Sequence, residues 1–165
     1  MIATEYGWGQ TGGVCLPRGL AAVRGRVFIL YHPCPPTVER ARREGQAYVR
    51  MCEHFESMVL LLWLGQPFPP LSEPVRAVYA DHFGRGPRVE AAAWVMDCQR
   101  SQLSFGRSLV TSMSTQILGA AATCRVFTEP FEATTWLSGL DGVDADLESI
   151  LDGLDTLDRA PPETE

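Results

Sequence analysis

The stretch Arg26-Val-Phe-Ile-Leu-Tyr31, followed by His32-Pro-Cys-Pro-Pro36, decides the fold class. Residues 26 to 31 are a continuous β-branched and aromatic run, which is typical of a strand covered on both faces. The three prolines after it end that strand. From Thr37 onward the apolar residues adopt helical spacing, which predicts an amphipathic helix of about five turns.

The same order of strand, loop and helix then recurs along the chain. Further strands are predicted at Met58 to Leu64, Arg88 to Met96 and Cys124 to Phe127. Further helices are predicted from an N-cap at Ser72, from Ser101 to Ala122, and from a cap at Thr128 to Leu140, the last anchored by Phe131, Trp136 and Leu137. Edge strands are predicted at Thr4 to Gln10 and Val14 to Pro17. This alternation predicts a single α/β domain with a central mixed, mostly parallel sheet of four to six strands and helices packed on it.

Length and charge limit the function classes. The chain has 165 residues with 45 % apolar and 21 % charged side chains, which is the composition of one globular domain. Residues 1 to 140 are nearly neutral, and a protein that binds nucleic acid needs a clearly basic face. The longest apolar run, Met58 to Gly65, is too short to span a bilayer, and no N-terminal signal is evident. We therefore predict a cytoplasmic protein with no nucleic-acid partner and no membrane span.

The cysteines and histidines form no recognisable catalytic or metal-binding motif. Five cysteines, widely spaced and without a CxxC pair, predict neither a disulfide framework nor a zinc site in a reducing compartment. His32 and Cys34 follow a strand and lie on a predicted turn, where a thiolate beside an imidazole is the catalytic alternative. No Asn or Asp that would orient the imidazole is evident. We therefore predict a protein that is not an enzyme and has no cofactor or metal.

Residues 3 to 140 resemble the SpoIIAA-like branch of the STAS and SEC14-type families. The matching segments are residues 26 to 31 with the long helix after them, 58 to 64 leading to Pro74-Val75-Arg76, 90 to 96, and Val126-Phe127-Thr128-Glu129 through Ala133 to Trp136-Leu137. The resemblance implies a bacterial, non-enzymatic regulatory domain that works through protein contacts.

The same resemblance directs attention to Ser72. Anti-sigma-factor antagonists of the STAS family carry a phosphorylatable serine in an Asp-Ser-Ser or Asp-Ser-Gly loop at a helix start. Ser72 occupies the corresponding place, but Leu71 precedes it instead of an aspartate. Ser72 is therefore either a candidate phosphosite or a plain N-cap, and the cap is the commoner role of a hydroxyl residue at a helix start.

Residues 141 to 165 are predicted as a separate segment after the 1 to 140 domain. They carry nine acidic side chains and one arginine, Arg159, and Asp144 to Asp158 has the pattern of an acidic amphipathic helix. Residues 160 to 165 are predicted as a disordered end. The apolar stripe must be buried on its own domain or on a partner, and both alternatives stay open. As a partner-binding surface it would use Leu147, Ile150, Leu151, Leu154 and Leu157.

Taken together, these patterns predict a regulatory or scaffolding domain that binds another protein, or a second copy of itself, in a bacterial signalling or assembly pathway. The alternative is a module that binds a small apolar ligand or lipid, as the SEC14 side of the resemblance and the apolar loop from Pro67 to Leu71 suggest. A closed apolar cavity would distinguish the two, because a lipid carrier needs internal volume.

Overall fold

The computed structural model of the chain describes residues 2–3, 20–64, 70–96 and 103–160. These residues form an α/β domain with one mixed six-stranded sheet and five helices. The strands are β1 Ile2–Ala3, β2 Ala21–Arg24, β3 Val27–His32, β4 Ser57–Leu64, β5 Arg88–Met96 and β6 Thr123–Phe127. The helices are α1 Val38–Cys52, α2 Glu73–Arg85, α3 Leu103–Leu118, α4 Pro130–Ser138 and α5 Leu147–Arg159. The predicted α/β class and mostly parallel sheet are confirmed.

The strands lie side by side in chain order. β1, β2 and β3 pair antiparallel, and β3 to β6 pair parallel. Parallel crossovers are almost always right-handed, so crossovers that step in one direction place their helices on the same face of the sheet. The helices α1, α2 and α3 accordingly share one apolar core with Phe28, Leu60 and Trp94. α4 and α5 cover the opposite face and pack on Ile29, Leu61 and Ala93.

The hairpin that joins β2 to β3 was not predicted. Its turn contains Gly25, whose φ of 52° is costly for residues other than glycine. Asp144 fixes the turn because its Oδ1 accepts a hydrogen bond of 3.0 Å from the backbone N–H of Arg26. The strand itself reads Ala-Ala-Val-Arg, which is short and poor in β-forming residues. The edge strands predicted at residues 4 to 10 and 14 to 17 lie outside the described residues.

The helix starts predicted at Thr37 and Ser72 are right. The helix predicted over Ser101 to Ala122 ends earlier, at Leu118, and the one predicted from Asp144 begins at Leu147. Thr37 caps α1, since its hydroxyl accepts a hydrogen bond from the Arg40 N–H at 3.1 Å. Ser72 is the N-cap residue of α2, although its side chain makes no cap hydrogen bond. The predicted cap of α4 at Thr128 is wrong, because Glu129 is the N-cap residue. Pro130 opens the helix and forces the residue before it into the extended conformation that Glu129 shows.

The anchors of α4 differ from the prediction in one residue. Leu137 is fully buried on the sheet, as predicted. Trp136 is half-buried against Phe127, with the two rings 5.7 Å apart. Phe131 was predicted as an anchor and is 58 % exposed. The first turn of α4 instead turns that ring away from the sheet, while Ala133 and Leu137 face it.

The acidic segment is part of the same domain in this structure. α5 packs on β2 and β3 and buries Ile150, Leu154 and Leu157 in the core of that face. The approach is close, because a Cβ atom added at Gly153 would lie 2.6 Å from Ile29 Cδ1. Ala160, placed in the predicted disordered end, is also buried, and residues 161 to 165 lie outside the described part of the chain.

Candidate functional site

A cluster of polar side chains is buried where β3 ends. His32 is the last residue of β3, Arg40 and Glu44 lie on α1, and Tyr79 lies on α2. The Nε2 atom of His32 lies 2.8 Å from Glu44 Oε2, and the Tyr79 hydroxyl donates a hydrogen bond to the same oxygen. The second carboxylate oxygen of Glu44 pairs with the Arg40 guanidinium. One carboxylate therefore joins β3, α1 and α2.

The environment of Glu44 favours its ionised form. Burial by itself raises the pKa of this carboxyl group, because a charge is poorly solvated inside the protein. The charges of His32 and Arg40 and the hydrogen bonds from His32 and Tyr79 outweigh that effect and hold the pKa below 4.5. Glu44 is therefore a buried anion whose partners are supplied by the fold.

This geometry corrects the prediction for His32 and Cys34. His32 was predicted on a turn, but it closes a strand and is only 3 % exposed. Cys34 is disulfide-bonded, so the prediction that the chain forms no disulfide was wrong at this residue. The second cysteine of the bond lies outside the described residues. Cysteine spacing in the sequence could not predict this disulfide, because the folded structure determines which two cysteines come close enough to bond.

Other thiols of the described part are in their reduced form. Cys52 is buried and Cys124 is half-buried, and both are free. Burial raises the pKa of the Cys52 thiol to about 12, which leaves almost no thiolate at neutral pH. Cys52 is therefore an inert core residue, as the sequence predicted. Asp97, Cys98, Arg100 and Ser101, which follow β5 along the chain, lie outside the described ranges.

A cavity of about 270 Å³ lies above the polar cluster. It is lined by Tyr31, His32, Pro33, Cys34, Pro35, Pro36, Thr37 and Arg40. Ligands of open α/β sheets bind where the strand order reverses, and the order from β3 to β6 never reverses. The ionisable groups of His32 and Arg40 are turned to Glu44. The cluster thus fastens two helices to the sheet, and we assign it a structural role.

The apolar pocket between α2, α3 and the sheet is very small. Its volume is about 10 Å³, and its walls include Leu62, Tyr79 and Trp94. That is about the space of one water molecule. A lipid chain needs a pocket of several hundred Å³, so this cavity does not provide one.

The pH dependence of stability follows from the ionised state of Glu44. Its pKa is lower in the folded than in the unfolded state, so the carboxylate stabilises the fold above about pH 4.5 and this contribution is lost as the pH falls further. We expect the melting temperature to fall between pH 5 and pH 3, and Glu44→Gln to flatten that decline. Glu90 also has a lowered pKa, mainly through its hydrogen bond from Arg26, so Glu90→Gln should flatten part of the same decline. Glu53→Gln, at an exposed glutamate just after α1, is the control and should leave the decline unchanged. An unchanged slope in Glu44→Gln would contradict the assignment.

The other notable surface is the free side of β6. This strand is the last of the sheet, and no strand among the described residues pairs with its outer edge. Arg125 is exposed at its centre, and its guanidinium lies 5.1 Å from the ring centre of Trp136. Phe127 is half-buried beside the same ring. An open edge strand presents unpaired backbone donors and acceptors to any strand that approaches.

Two exposed phenylalanines lie in the first turns of the two helices that pack on β6. Phe105, in the first turn of α3, is 72 % exposed, and Phe131, in the first turn of α4, is 58 % exposed. Both helices pack on β6. The outer face of α3 is otherwise made of uncharged hydroxyl and amide side chains, and Arg107 is its one charged residue. We call β6 with Phe105, Glu129, Phe131 and Trp136 the β6 edge surface.

The predicted partner-binding stripe lies elsewhere and faces the chain's own sheet. Ile150, Leu154 and Leu157 are buried there, and Leu147 and Leu151 are half-buried. The stripe is not accessible to a partner while α5 holds this position. In this structure the apolar stripe of α5 is buried on its own domain and not on a partner. The sequence pattern predicted the helix. It could not predict where the helix packs, because the apolar stripe looks the same in the sequence whether it covers its own sheet or a partner protein.

The candidate phosphosite is accessible. Ser72 is exposed at the start of α2, and Glu73 follows it in the first turn. Because its hydroxyl makes no cap hydrogen bond, the capping role contributes less here than the sequence suggested. Phosphorylation of Ser72 stays a prediction.

No family model, curated protein or solved structure matches this chain. The resemblance to the SpoIIAA-like proteins therefore depends on the sequence pattern alone. Within the described ranges, no helix is long and apolar enough to cross a membrane. The same ranges contain no group of three or more His, Cys, Asp or Glu side chains arranged to hold a metal ion.

Proposed function

We propose that the chain is a non-catalytic regulatory or scaffolding domain that binds protein through the β6 edge surface. The observation that carries this proposal is β6, whose outer edge is paired with no strand of the described ranges, together with two strongly exposed phenylalanines in the first turns of the helices that pack on it. Large exposed aromatic side chains are enriched at protein interfaces, and an open strand adds backbone hydrogen bonds to their contacts. The proposal moves the interaction site from the acidic helix to the opposite edge of the sheet.

The same proposal includes membership of the SpoIIAA-like family and a role in bacterial signalling. They are supported by the order of strands and helices and by an accessible serine at the start of α2. The cytoplasmic placement is supported by composition, whereas the disulfide at Cys34 favours an oxidising compartment. The lipid-binding alternative has less support, because the apolar pocket between α2, α3 and the sheet is about 10 Å³, although a second pocket of about 440 Å³ lies at the ends of α2 and α3 beside Phe83 and Ile117.

The proposal is tested by photo-crosslinking in the cells that make the protein. A benzophenone amino acid is placed at Phe105, at Arg125 or, as the control, at the exposed α1 residue Arg42. We expect Phe105 and Arg125 to give discrete protein adducts that mass spectrometry identifies, and Arg42 to give none. Adducts at Arg42 alone, or no adduct at either edge position, would overturn the proposal.

A further inference from the structure

We infer that the pocket at the ends of α2 and α3 binds a small neutral molecule with an apolar body and one O–H or N–H donor. This pocket has a volume of about 440 Å³ and lies between the last turns of the two helices and the start of β5. Small-molecule sites have volumes of this order, mostly apolar walls and a few polar groups. The inference goes beyond the proposed function and does not depend on the β6 edge surface. We call the site the helix-end pocket.

Small residues on α2 leave this space open. Ala80 and Gly84 are one turn apart on α2, and both line the helix-end pocket. A Cβ atom added at Gly84 would meet no atom within 4 Å. Gly45 and Gly153, on α1 and α5, differ because a Cβ atom at either would lie within 2.6 Å of a neighbouring side chain. Packing is therefore close at those helix contacts and open at this one.

The inner wall of the helix-end pocket is apolar. Phe83, Val89 and Ile117 line it, one each from α2, β5 and α3, and each is only 6 to 7 % exposed. These side chains belong to the core on that face of the sheet, so the wall is formed before a ligand arrives. An aromatic or alkyl group placed against the wall would lose contact with water, which favours binding.

The rim of the helix-end pocket carries unpaired hydrogen-bond acceptors. The last backbone hydrogen bonds of α2 and α3 are donated by the N–H groups of Gly86 and Gly119. The carbonyl groups of residues 83–85 and 116–118 accept no hydrogen bond from another residue of the described ranges. All of these residues except Arg85 line the pocket. Carbonyl groups at a helix end point along its axis, so the two ends offer acceptors to an O–H or N–H donor of a ligand.

Charges near the rim favour a neutral ligand. The last turn of α3 has no basic residue, and Arg85 in the last turn of α2 is paired with Asp81. The helix ends therefore keep partial negative charge, which disfavours an anion. Arg88 lines the pocket, is 73 % exposed and is paired with Glu90 at 2.8 Å, and its positive charge disfavours a cation. An alcohol, a phenol or an indole avoids both penalties and still donates a hydrogen bond.

Phenol and three close relatives test the inference on the full chain. Backbone amide chemical shifts are measured by NMR while phenol, anisole, benzoate or benzylamine is titrated at neutral pH. We expect phenol to give saturable shifts at Gly84, Val89 and Gly119. Anisole lacks the O–H donor, benzoate is an anion and benzylamine is a cation, so each should bind at least about fivefold more weakly than phenol.

Filling the pocket tests its position. Gly84→Leu places a side chain in the open space, and leucine is a better helix former than glycine, so the fold should be retained. We expect the dissociation constant for phenol to rise about tenfold or more. The matched control is Ala77→Leu, which adds the same side chain on the exposed side of α2 and should leave phenol binding unchanged. If circular dichroism shows that Gly84→Leu does not fold, Ala80→Leu fills the same space from one turn earlier.

Two results would overturn the inference. Phenol shifts that do not saturate, or that the filled variant leaves unchanged, would show that the helix-end pocket does not bind such a ligand. Anisole, benzoate or benzylamine binding as tightly as phenol would show that the helix ends do not select a neutral donor. Neither result bears on the β6 edge surface, which is tested separately by crosslinking at Phe105 and Arg125.

Discussion

Replacing Glu44 by alanine should be among the most destabilising single changes in this chain, with an expected loss of about 3 to 5 kcal/mol in the free energy of unfolding. The substitution removes the carboxylate that pairs with the Arg40 guanidinium, which is 7 % exposed, and that accepts hydrogen bonds at His32 and Tyr79. Removing one partner of a buried ion pair costs several kcal/mol, which is a large fraction of the stability of an ordinary domain. Urea-induced unfolding measures this loss.

The control is Glu39→Ala on the exposed side of the same helix, whose pairing with Arg42 is expected to contribute less than about 1 kcal/mol. If Glu44→Ala does not fold, Glu44→Gln keeps the shape and part of the hydrogen bonding, and it should be intermediate. A Glu44→Ala protein within about 1 kcal/mol of wild type would show that α1 and α2 are not held by this cluster.

Replacing Leu154 by aspartate should lower stability by a similar amount, about 4 kcal/mol or more. Leu154 is 3 % exposed in the core between α5 and the sheet, so the change removes a buried side chain and introduces a charge in its place. We expect a large fall in melting temperature, with faster amide hydrogen exchange in α5 and in the β2–β3 hairpin beneath it.

Leu151→Asp is the matched control, because Leu151 lies on the same helix and is half-buried. It should cost clearly less than Leu154→Asp. If both variants melt at the wild-type temperature, α5 is not docked in solution, and the stripe from Leu147 to Leu157 again becomes a partner surface.

Local patterns were sufficient for most of the fold. The runs that became β3, β4 and β5 are almost uniformly apolar, and the predicted bounds differ from the structure by at most one residue at each end. The start of α1 was also predicted correctly, because a hydroxyl residue followed by helical spacing is a strong local signal. Each of these features depends on residues close together in the chain.

The errors have a common physical cause, which is dependence on distant residues. His32 is buried because Glu44 and Tyr79, 12 and 47 positions away, supply its partners. β2 exists because it pairs with β3 and is covered by α5, although its own residues favour a strand only weakly. Phe131 has the apolar character of an anchor, but the packing of α4 on β4 and β5 buries Ala133 and Leu137 instead. None of these facts is visible in a window of ten residues.

The position of α5 has a consequence for how the protein is made. The face of β2 and β3 that includes Ala22 and Ile29 is covered by a helix whose Asp152 pairs with Arg24 across 128 positions of the chain. At about 5 to 20 residues per second, a ribosome needs roughly 6 to 25 s to add that length. During this interval the hairpin is synthesised, while the surface that protects it from other nascent chains is not. The hairpin is therefore the segment for which we expect a chaperone to compete during translation, until α5 emerges and displaces it.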